Sequence, residues 1–344
     1  MKIDFVLPWV DPTDKQWQKR KESYAETKNN NVSNSQARYR DMETLKYVLR
    51  AIEQNCPWYN KIFLMTEGHF PKWLNLESEK VRLVTHEEMY FDKTHLPTFN
   101  SSSIEMNLAN IPDLSEHFVY LNDDTVIMRE TPISRFFVDG KAVDFLSHGW
   151  IPRNKFFFKL RGDGDSWSKS VKNTIDLINT GVNISKLNSD FLFDGTYSLL
   201  DKVSNFIMKY IYKRPIWITH WHHPQSYTKK TLNSVCKHFK SQILENSSHR
   251  FRSEKDIAPY LYRYWHLLTG DFYPRKHQDD LPTMNIDSVQ CLENMFSEIK
   301  NNKNIRFVCF NDVPSLSDEE YDKVKKLLVT TLESYFPNKA SFEK

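Results

Sequence analysis

Short apolar runs alternate with longer amphipathic segments over the first 130 positions of the chain. Residues 3–10, 62–66 and 118–121 are short, predominantly apolar runs, which are typical of strands buried on both faces. Residues 41–54 instead repeat apolar positions at helical spacing. Because strands that alternate with helices favour a parallel sheet, the pattern predicts an α/β fold in which residues 1–130 form a nucleotide-binding half.

The last third of the chain predicts further elements. A helix is expected after Pro224, an aromatic helix at residues 256–268, and a strand at residues 305–310. Residues 317–335 predict a final amphipathic helix, whose acidic start suits the positive end of the helix dipole.

Residues 131–215 show a less regular pattern. They carry aromatic clusters and polar turns, and we interpret them as an inserted helical and aromatic cap over the sheet. We therefore expect a single catalytic domain over residues 1–344, in which residues 216–344 supply the remainder of the core.

The apolar run at residues 118–121 ends in three polar residues, Asn122, Asp123 and Asp124. Ligands of open α/β sheets bind beyond the carboxyl ends of the strands. Two adjacent acids at such a position suit Mg²⁺ or Mn²⁺ together with the diphosphate that the metal neutralises. We therefore predict a metal site at Asp123 and Asp124, with a solvated surface turn as the alternative.

A serine-rich segment precedes these acids. Ser101, Ser102 and Ser103 stand before Glu105, and residues 103–108 predict the opening of a helix. Hydroxyl and amide groups at a helix N-terminus bind phosphate, so Ser101 is a candidate substrate-binding residue. Glu105 is a candidate catalytic acid, and a solvated helix face is its alternative.

The first strand and the segment after it supply further candidates. Trp9 and Asp11 stand at the end of the first strand, where they are expected to line the nucleotide site. Arg38 is a candidate for substrate binding, although Arg38 and Asp41 also fit a structural ion pair.

Three histidines, His220, His222 and His223, lie within four residues. A neutral imidazole near a strand end can accept a proton from an attacking hydroxyl. No further His or Cys residues at suitable spacing support a zinc site. A purely structural histidine cluster is the remaining alternative. Arg252 carries a planar guanidinium that matches a phosphate group, with a solvated basic turn as its alternative.

Composition removes several classes of protein. The chain has 8 glycines, and neither a GxGxxG motif nor a P-loop is present. Its four cysteines have no CxxC spacing, so reduced thiols are expected. The net charge of +3 fits an anionic substrate or an anionic membrane surface as well as an ordinary protein surface, and no nucleic-acid partner is expected.

The start of the chain turns polar too early for a signal peptide, and no run of about 18 apolar residues exists. We therefore expect a cytoplasmic protein, and peripheral attachment to the inner face of the cell membrane stays open.

Taken in order, several segments of the chain resemble the four conserved regions of the Stealth family. The resemblance covers most of residues 1–130 and 216–337, and its long second region is highly specific. The segments that carry it are IDFVLPWVDPTD, RYRDMETLKYVLRAIEQNCPWYNKIFLMTEGHFPKWLNL with HLPTFNSSSIE and YLNDD, HWHHPQSYTKKTL, and FVCFNDVPSLSDEEYDKVKKLL. The family includes bacterial capsular and exopolysaccharide hexose-1-phosphate transferases and the catalytic part of N-acetylglucosamine-1-phosphotransferase.

The resemblance implies a Rossmann-like, glycosyltransferase-A-like fold with a parallel-rich sheet flanked by helices. It also implies transfer of hexose-1-phosphate or N-acetylhexosamine-1-phosphate from a nucleotide diphosphate sugar, expected to be UDP-linked. The acceptor would be a hydroxyl of a glycan or a lipid-linked oligosaccharide in capsule or exopolysaccharide synthesis, and nucleoside monophosphate would be released.

Carried onto this chain, the family pattern matches Ser101, Glu105, Asn122, Asp123 and Asp124 in its second region. His222 matches the His of a His-x-Pro motif and would accept the acceptor proton. Arg252 matches an arginine between the third and fourth regions and would stabilise the transferring phosphoryl group. Because His220 and His223 flank His222, which imidazole acts is left open.

Two other functions compete with this one. A conventional metal-dependent glycosyltransferase would use the same acids but release nucleoside diphosphate. A non-catalytic glycan-binding scaffold could use the many aromatic residues to stack on sugars, but the complete set of Glu105, the Asn-Asp-Asp segment, His222 and Arg252 argues against it.

Overall fold

A five-stranded sheet organises the chain, whose computed structural model describes residues 1–25, 40–149, 166–220, 223–282, 285–313 and 316–344. The strands are β1 (Ile3–Pro8), β2 (Ile62–Thr66), β3 (Val81–Thr85), β4 (His117–Tyr120), β5 (Thr125–Ile127), β6 (Phe137–Val138), β7 (Lys141–Asp144), β8 (Gln225–Thr228), β9 (Tyr273–Pro274) and β10 (Phe307–Cys309). The α-helices are α1 (Lys15–Tyr24), α2 (Leu45–Asn55), α3 (His86–Met89), α4 (Ser101–Glu105), α5 (Ser166–Gly181), α6 (Leu199–Phe206), α7 (Lys229–His238), α8 (Lys240–Ser247), α9 (Tyr260–Thr269), α10 (Val289–Asn301) and α11 (Asp318–Tyr335).

The strand order in the main sheet is β3-β2-β1-β4-β8. Strands β3, β2, β1 and β4 run parallel, and β8 lies antiparallel on β4. The prediction of an α/β fold with a parallel-rich sheet is therefore confirmed. Because Phe5 is in register with both Ile62 and Val119, the carboxyl ends of the three central strands meet at one edge of the sheet.

Both faces of this sheet are covered, which explains the apolar runs. Phe5 and Leu7 of β1 point into one core cluster, which also contains the apolar residues of α2, whereas Val6 points into a second cluster with α7 and α9. The helical spacing of residues 41–54 thus corresponds to the buried face of α2, although the helix itself begins at Leu45.

Two sequence predictions placed element boundaries wrongly. The segment after Pro224 does not enter a helix at once but first forms β8, whose four residues are all buried. Ser226 and Thr228 are short polar residues that do not look like a buried strand, and only pairing with β4 makes this position a strand. The Thr228 hydroxyl then accepts a hydrogen bond from the Thr231 amide and starts α7.

The helix expected at residues 103–108 begins earlier and is shorter. The Asn100 side chain caps it by accepting a hydrogen bond from the Ser102 amide, so α4 spans Ser101–Glu105. A separate 3₁₀ turn follows at Leu108–Asn110. None of the helices in the described ranges has the length and apolar content needed to cross a bilayer.

A buried ion pair joins elements from distant parts of the chain. The Arg263 guanidinium on α9 donates two hydrogen bonds of 2.8 Å to the Asp144 carboxylate at the end of β7, and a third of 2.8 Å to the Thr219 carbonyl. Burial alone would raise the pKa of Asp144, but Arg263 and His266 outweigh it and hold that pKa well below its ordinary value. The pair therefore fixes the segment that leads to His220 against the core.

We predict that Arg263→Met lowers the free energy of unfolding at pH 7 by about 3–5 kcal/mol, because it leaves the buried Asp144 carboxylate without its charge partner. Urea unfolding at pH 7 and at pH 3 would measure this. The lowered pKa means that Asp144 stabilises the native protein above its unfolded pKa of about 3.9 and loses that contribution as the pH falls.

The difference in the free energy of unfolding between the wild-type protein and Arg263→Met should therefore be smaller at pH 3 than at pH 7. Arg82→Met is the matched control, because Arg82 pairs with the exposed Asp113 and should cost about 1 kcal/mol or less. An equal loss of unfolding free energy in both variants would show that the buried ion pair stabilises the protein no more than the exposed one.

Candidate functional site

A cavity of about 870 Å³ opens at the carboxyl edge of the main sheet. Its walls come from the ends of β1, β4 and β10, from α4 and from the loop before α9. The predicted site residues that line it are Trp9, Ser101, Glu105, Asn122, Asp123, Asp124 and Arg252. The structure therefore brings together residues that are up to 243 positions apart, counted from Trp9 to Arg252.

The paired acids occupy a short turn between β4 and β5. The Thr125 amide donates to the Asn122 carbonyl at 3.2 Å, which closes the turn. The Phe310 amide donates to the Asp124 carbonyl at 2.9 Å, because β10 pairs antiparallel with β5. Backbone pairing on both sides thus holds Asp123 and Asp124 at the cavity wall.

Acidic side chains cluster at this end of the cavity. Burial, followed by the charges of Asp124 and Asp41, raises the pKa of Asp123 to about 8. Burial also raises the pKa of Asp312, whose Oδ2 atom has no hydrogen-bond partner among the described residues. A bound cation would stabilise the ionised forms of these acids, so the cluster favours a cation there.

The donors nevertheless form no complete protein cage for a metal. Among the described residues, no group of three or more His, Cys, Asp or Glu side chains has the arrangement of a metal site. Mg²⁺ commonly takes only one or two carboxylates and completes its shell with water and substrate phosphates. Asp123 and Asp124 fit that pattern.

Arg252 is a cation that lines the same cavity. Its Nη2 atom donates a hydrogen bond of 2.8 Å to the Ser101 hydroxyl at the start of α4. Ser102 also lines the cavity, whereas Ser103 is buried and donates to the Ser247 carbonyl at 2.6 Å. Two of the three serines therefore face the cavity, and the third has a structural role.

A buried carboxylate holds the loop that carries Arg252. Asp256 Oδ2 accepts hydrogen bonds of 3.0 Å from the Asn100 side chain and from the Ser253 amide. Asp256 Oδ1 lies 2.7 Å from His249 Nδ1. Asn100 also caps α4, so Asp256 ties the position of Arg252 to the helix that carries Ser101.

Glu105 is buried at the end of α4 beside Tyr120 of β4. Burial first, and then the adjacent Glu105 carboxylate, raise the pKa of Tyr120 well above its ordinary value. Glu105 is therefore not on a solvated helix face, which was its alternative. It places an acid on the wall of the same cavity that Ser101 and the paired aspartates line.

Trp9 and Asp11 have different roles. Trp9 is buried, lines the cavity and packs edge-on against His69 at 5.5 Å between ring centroids. Asp11 is not among the lining residues, and its Oδ1 atom accepts hydrogen bonds of 2.8 and 2.6 Å from the Thr13 amide and hydroxyl. Asp11 thus stabilises the turn after β1.

The histidines also have different surroundings. The His220 ring stacks on Tyr260 at 4.6 Å and lies edge-on to Trp167 at 4.9 Å. His223 lines the cavity, and burial followed by the charges of Arg135 and Arg263 lowers its pKa to about 3, so its ring is neutral at pH 7. His222 and Arg38 lie outside the described residues.

Sequence reasoning did not assign several lining residues to the site. Asn311 and Asp312 follow β10 as Asn122 and Asp123 follow β4, and both pairs line the cavity. The repeated Asn-Asp pair after an apolar run was the available signal. Arg40, Asp41 and Asn285 are further lining residues of this kind.

Three family models match the chain. They describe Stealth protein conserved region 1 at residues 1–28, conserved region 2 at residues 38–144 and conserved region 4 at residues 297–344. The second match contains Ser101, Glu105 and the Asn-Asp-Asp segment.

Curated relatives are similar over nearly the whole chain. A capsular polysaccharide phosphotransferase WcwK of Streptococcus pneumoniae is 34% identical over 99% of this chain and 98% of its own length. An exopolysaccharide phosphotransferase cps2G of Lactiplantibacillus plantarum is 32% identical, over 99% and 96%. A receptor polysaccharide phosphotransferase WefC of Streptococcus oralis is 30% identical, over 99% of each chain.

Among solved structures, the galactosyltransferase LgtC with donor and acceptor sugar analogues covers 99% of this chain and 98% of its own. Its identity is 10% and the TM-score is 0.37. A score this low does not establish a shared fold, so the fold assignment here rests on the sheet itself.

We predict that Asp256→Asn weakens the binding of inorganic pyrophosphate to the cavity in the presence of Mg²⁺ by about 10-fold or more. Asparagine has one acceptor oxygen and no charge, whereas Asp256 uses both carboxylate oxygens to hold the loop. The loop would therefore position Arg252 less firmly, and the charge-assisted hydrogen bonds of this arginine are worth about 1.5–3 kcal/mol. Calorimetric titration would measure it.

Arg252→Gln should weaken binding similarly, and the double variant should be no weaker than Arg252→Gln, because both changes act through one contact. Asp271→Asn, at an exposed pair with Lys230, is the control. Additive losses would mean that Asp256 does not act through Arg252.

Proposed function

The chain belongs to the Stealth family, and from that premise we propose that it transfers a sugar 1-phosphate from a nucleotide diphosphate sugar to a glycan hydroxyl. One observation carries the proposal: the paired acids Asp123 and Asp124 and the phosphate-type donors Arg252 and Ser101 face the same cavity. A cavity lined by paired acids that suit a cation and by a guanidinium suits a diphosphate.

A divalent cation, Mg²⁺ or Mn²⁺, fits this cavity. Asp312 has an Oδ2 atom with no hydrogen-bond partner among the described residues, and Asp124 and Asp41 add to the effect of burial in raising the pKa of Asp123. Asp123 and Asp124 would hold the ion. When bound, the ion neutralises charge on the diphosphate as a Lewis acid.

The residues of the chain act mainly by positioning and by charge. The bond that breaks joins the phosphorus of the sugar phosphate to the bridging oxygen of the diphosphate. The bond that forms joins the same phosphorus to the acceptor oxygen. Arg252 would donate to the oxygens of the transferred phosphoryl group, and the acceptor proton would pass to His222. Nucleoside monophosphate leaves, and the sugar–phosphate bond stays intact.

The arrangement of the remaining residues supports assignments for the two substrates. Trp9 offers an aromatic edge for the nucleotide, which we take to be UDP-linked, and Asn122 lies beside the metal site. The names of the relatives favour a capsular or exopolysaccharide acceptor, and we propose that it is lipid-linked and used at the inner face of the membrane.

We expect the purified protein to release nucleoside monophosphate from its donor and to leave a phosphodiester in the glycan. Incubation with a panel of nucleotide sugars, ion-exchange chromatography of the nucleotide and phosphorus NMR of the glycan would test this. Release of nucleoside diphosphate with a phosphorus-free glycan would instead identify a conventional glycosyltransferase.

We expect Asp124→Asn to lower kcat by roughly 10² or more, because metal and charge stabilisation contribute several kcal/mol to such reactions. Excess chelator should abolish turnover, and the variant should bind Mn²⁺ more weakly by electron paramagnetic resonance. Asp113→Asn, an exposed acid outside the cavity, is the control. Full activity in chelator would refute the metal assignment.

A further inference from the structure

Helix α6 and the π-helical turn that follows it at Ile207–Tyr212 expose large apolar side chains away from the cavity. Leu199 is 77% exposed, Leu200 72% and Ile211 62%. Together with four neighbours they form what we call the α6 face, which consists of Leu199, Leu200, Val203, Phe206, Tyr210, Ile211 and Tyr212. Seven of the thirteen exposed large hydrophobic side chains among the described residues lie in this short segment.

The other side of α6 is polar and buried, which reverses the usual orientation of a surface helix. The Asn205 side chain donates to the Leu146 carbonyl at 2.7 Å and accepts from the His148 amide at 3.1 Å. Asp201 accepts from the Ser147 hydroxyl at 2.7 Å and from Lys276 at 2.6 Å. The apolar side chains of α6 therefore do not serve the core of the protein.

Positive charge surrounds the α6 face. Residues 199–214 contain four cations and a single acid. The cations are Lys202, Lys209, Lys213 and Arg214. The acid is Asp201, which is buried and paired with Lys276. The exposed acid Asp190, next to Ser189 on the neighbouring turn, offsets only part of this excess.

We propose that the α6 face docks on an anionic lipid bilayer. Leucine, isoleucine and phenylalanine would enter the boundary of the acyl chains, and the two tyrosines would lie at the level of the headgroups. Lys202, Lys213 and Arg214 would contact lipid phosphates, whereas Lys209 donates to the Leu187 carbonyl at 2.6 Å. A second copy of the chain fits less well, because a self-complementary contact would bring the cations of both copies together.

A short series of contacts connects the α6 face to the cavity. His148, which bonds Asn205 of α6, pairs with Ile218 in an isolated bridge, and His220 follows two residues later. The His220 ring stacks on Tyr260, which lines the cavity. The biological meaning of this surface rests on the proposed lipid-linked acceptor, whereas membrane binding itself does not.

The test is sedimentation of the full chain with vesicles of phosphatidylcholine alone or with 30% phosphatidylglycerol. We expect binding to the anionic vesicles and its loss at high salt. Leu199→Glu/Leu200→Glu should weaken binding at least about tenfold, and Lys213→Glu/Arg214→Glu should weaken it on anionic vesicles. Glutamate in the first turn of α6 suits the helix dipole, so the first variant should fold.

Phe91→Glu is the matched control, since Phe91 is an exposed aromatic residue outside the α6 face. Circular dichroism and transfer to a soluble acceptor should be unchanged in all variants. Wild-type protein that ignores anionic vesicles, or an α6 variant that binds them normally, overturns the proposal. A wild-type dimer that the α6 variant converts to a monomer, with no effect on vesicles, assigns the face to self-association. If the protein binds vesicles but transfers no sugar phosphate, the proposed function is refuted and the membrane-docking proposal stands.

Discussion

The parallel pairing of β4 with β1 is the constraint on which the site depends. The Leu121 amide donates to the Val6 carbonyl at 3.1 Å, so the residues that follow β4 emerge at the same edge as Trp9 after β1. Antiparallel pairing of β5 with β10 then fixes the turn between β4 and β5 from its other side. Two adjacent carboxylates repel each other, and this backbone ladder supplies the rigidity that keeps both at the cavity wall.

Side chains of both signs of charge line the cavity. Asp41, Asp123, Asp124 and Asp312 line it together with Arg252, which is anchored through Ser101 and the Asp256 loop. A nucleotide diphosphate with its cation complements both signs at once. The buried pair of Arg263 and Asp144 carries out a related task outside the cavity, since it holds the Thr219 carbonyl next to the histidine segment.

The polar inner side and apolar outer side of α6 point to the surroundings of the protein. Side chains such as Asn205 and Asp201 already satisfy backbone and side-chain partners in the interior. The exposed leucines are therefore available for a surface other than the protein core, and their basic rim indicates the sign of charge on that surface.

The sequence by itself determined the parallel-rich α/β class, because apolar runs of strand length and the helical spacing of residues 41–54 are local patterns that solvent exclusion imposes on each element. It also marked Asp123, Asp124, Ser101, Glu105 and Arg252 as candidates, since their chemistry is visible in the residue types. Tertiary structure alone decided that β8 is a strand, because its polar residues are buried only by pairing with β4. It alone separated Trp9 from Asp11 and His223 from His220, and brought Asp312 beside Asp124, because which side chains face a common cavity depends on contacts between distant segments that no local pattern contains.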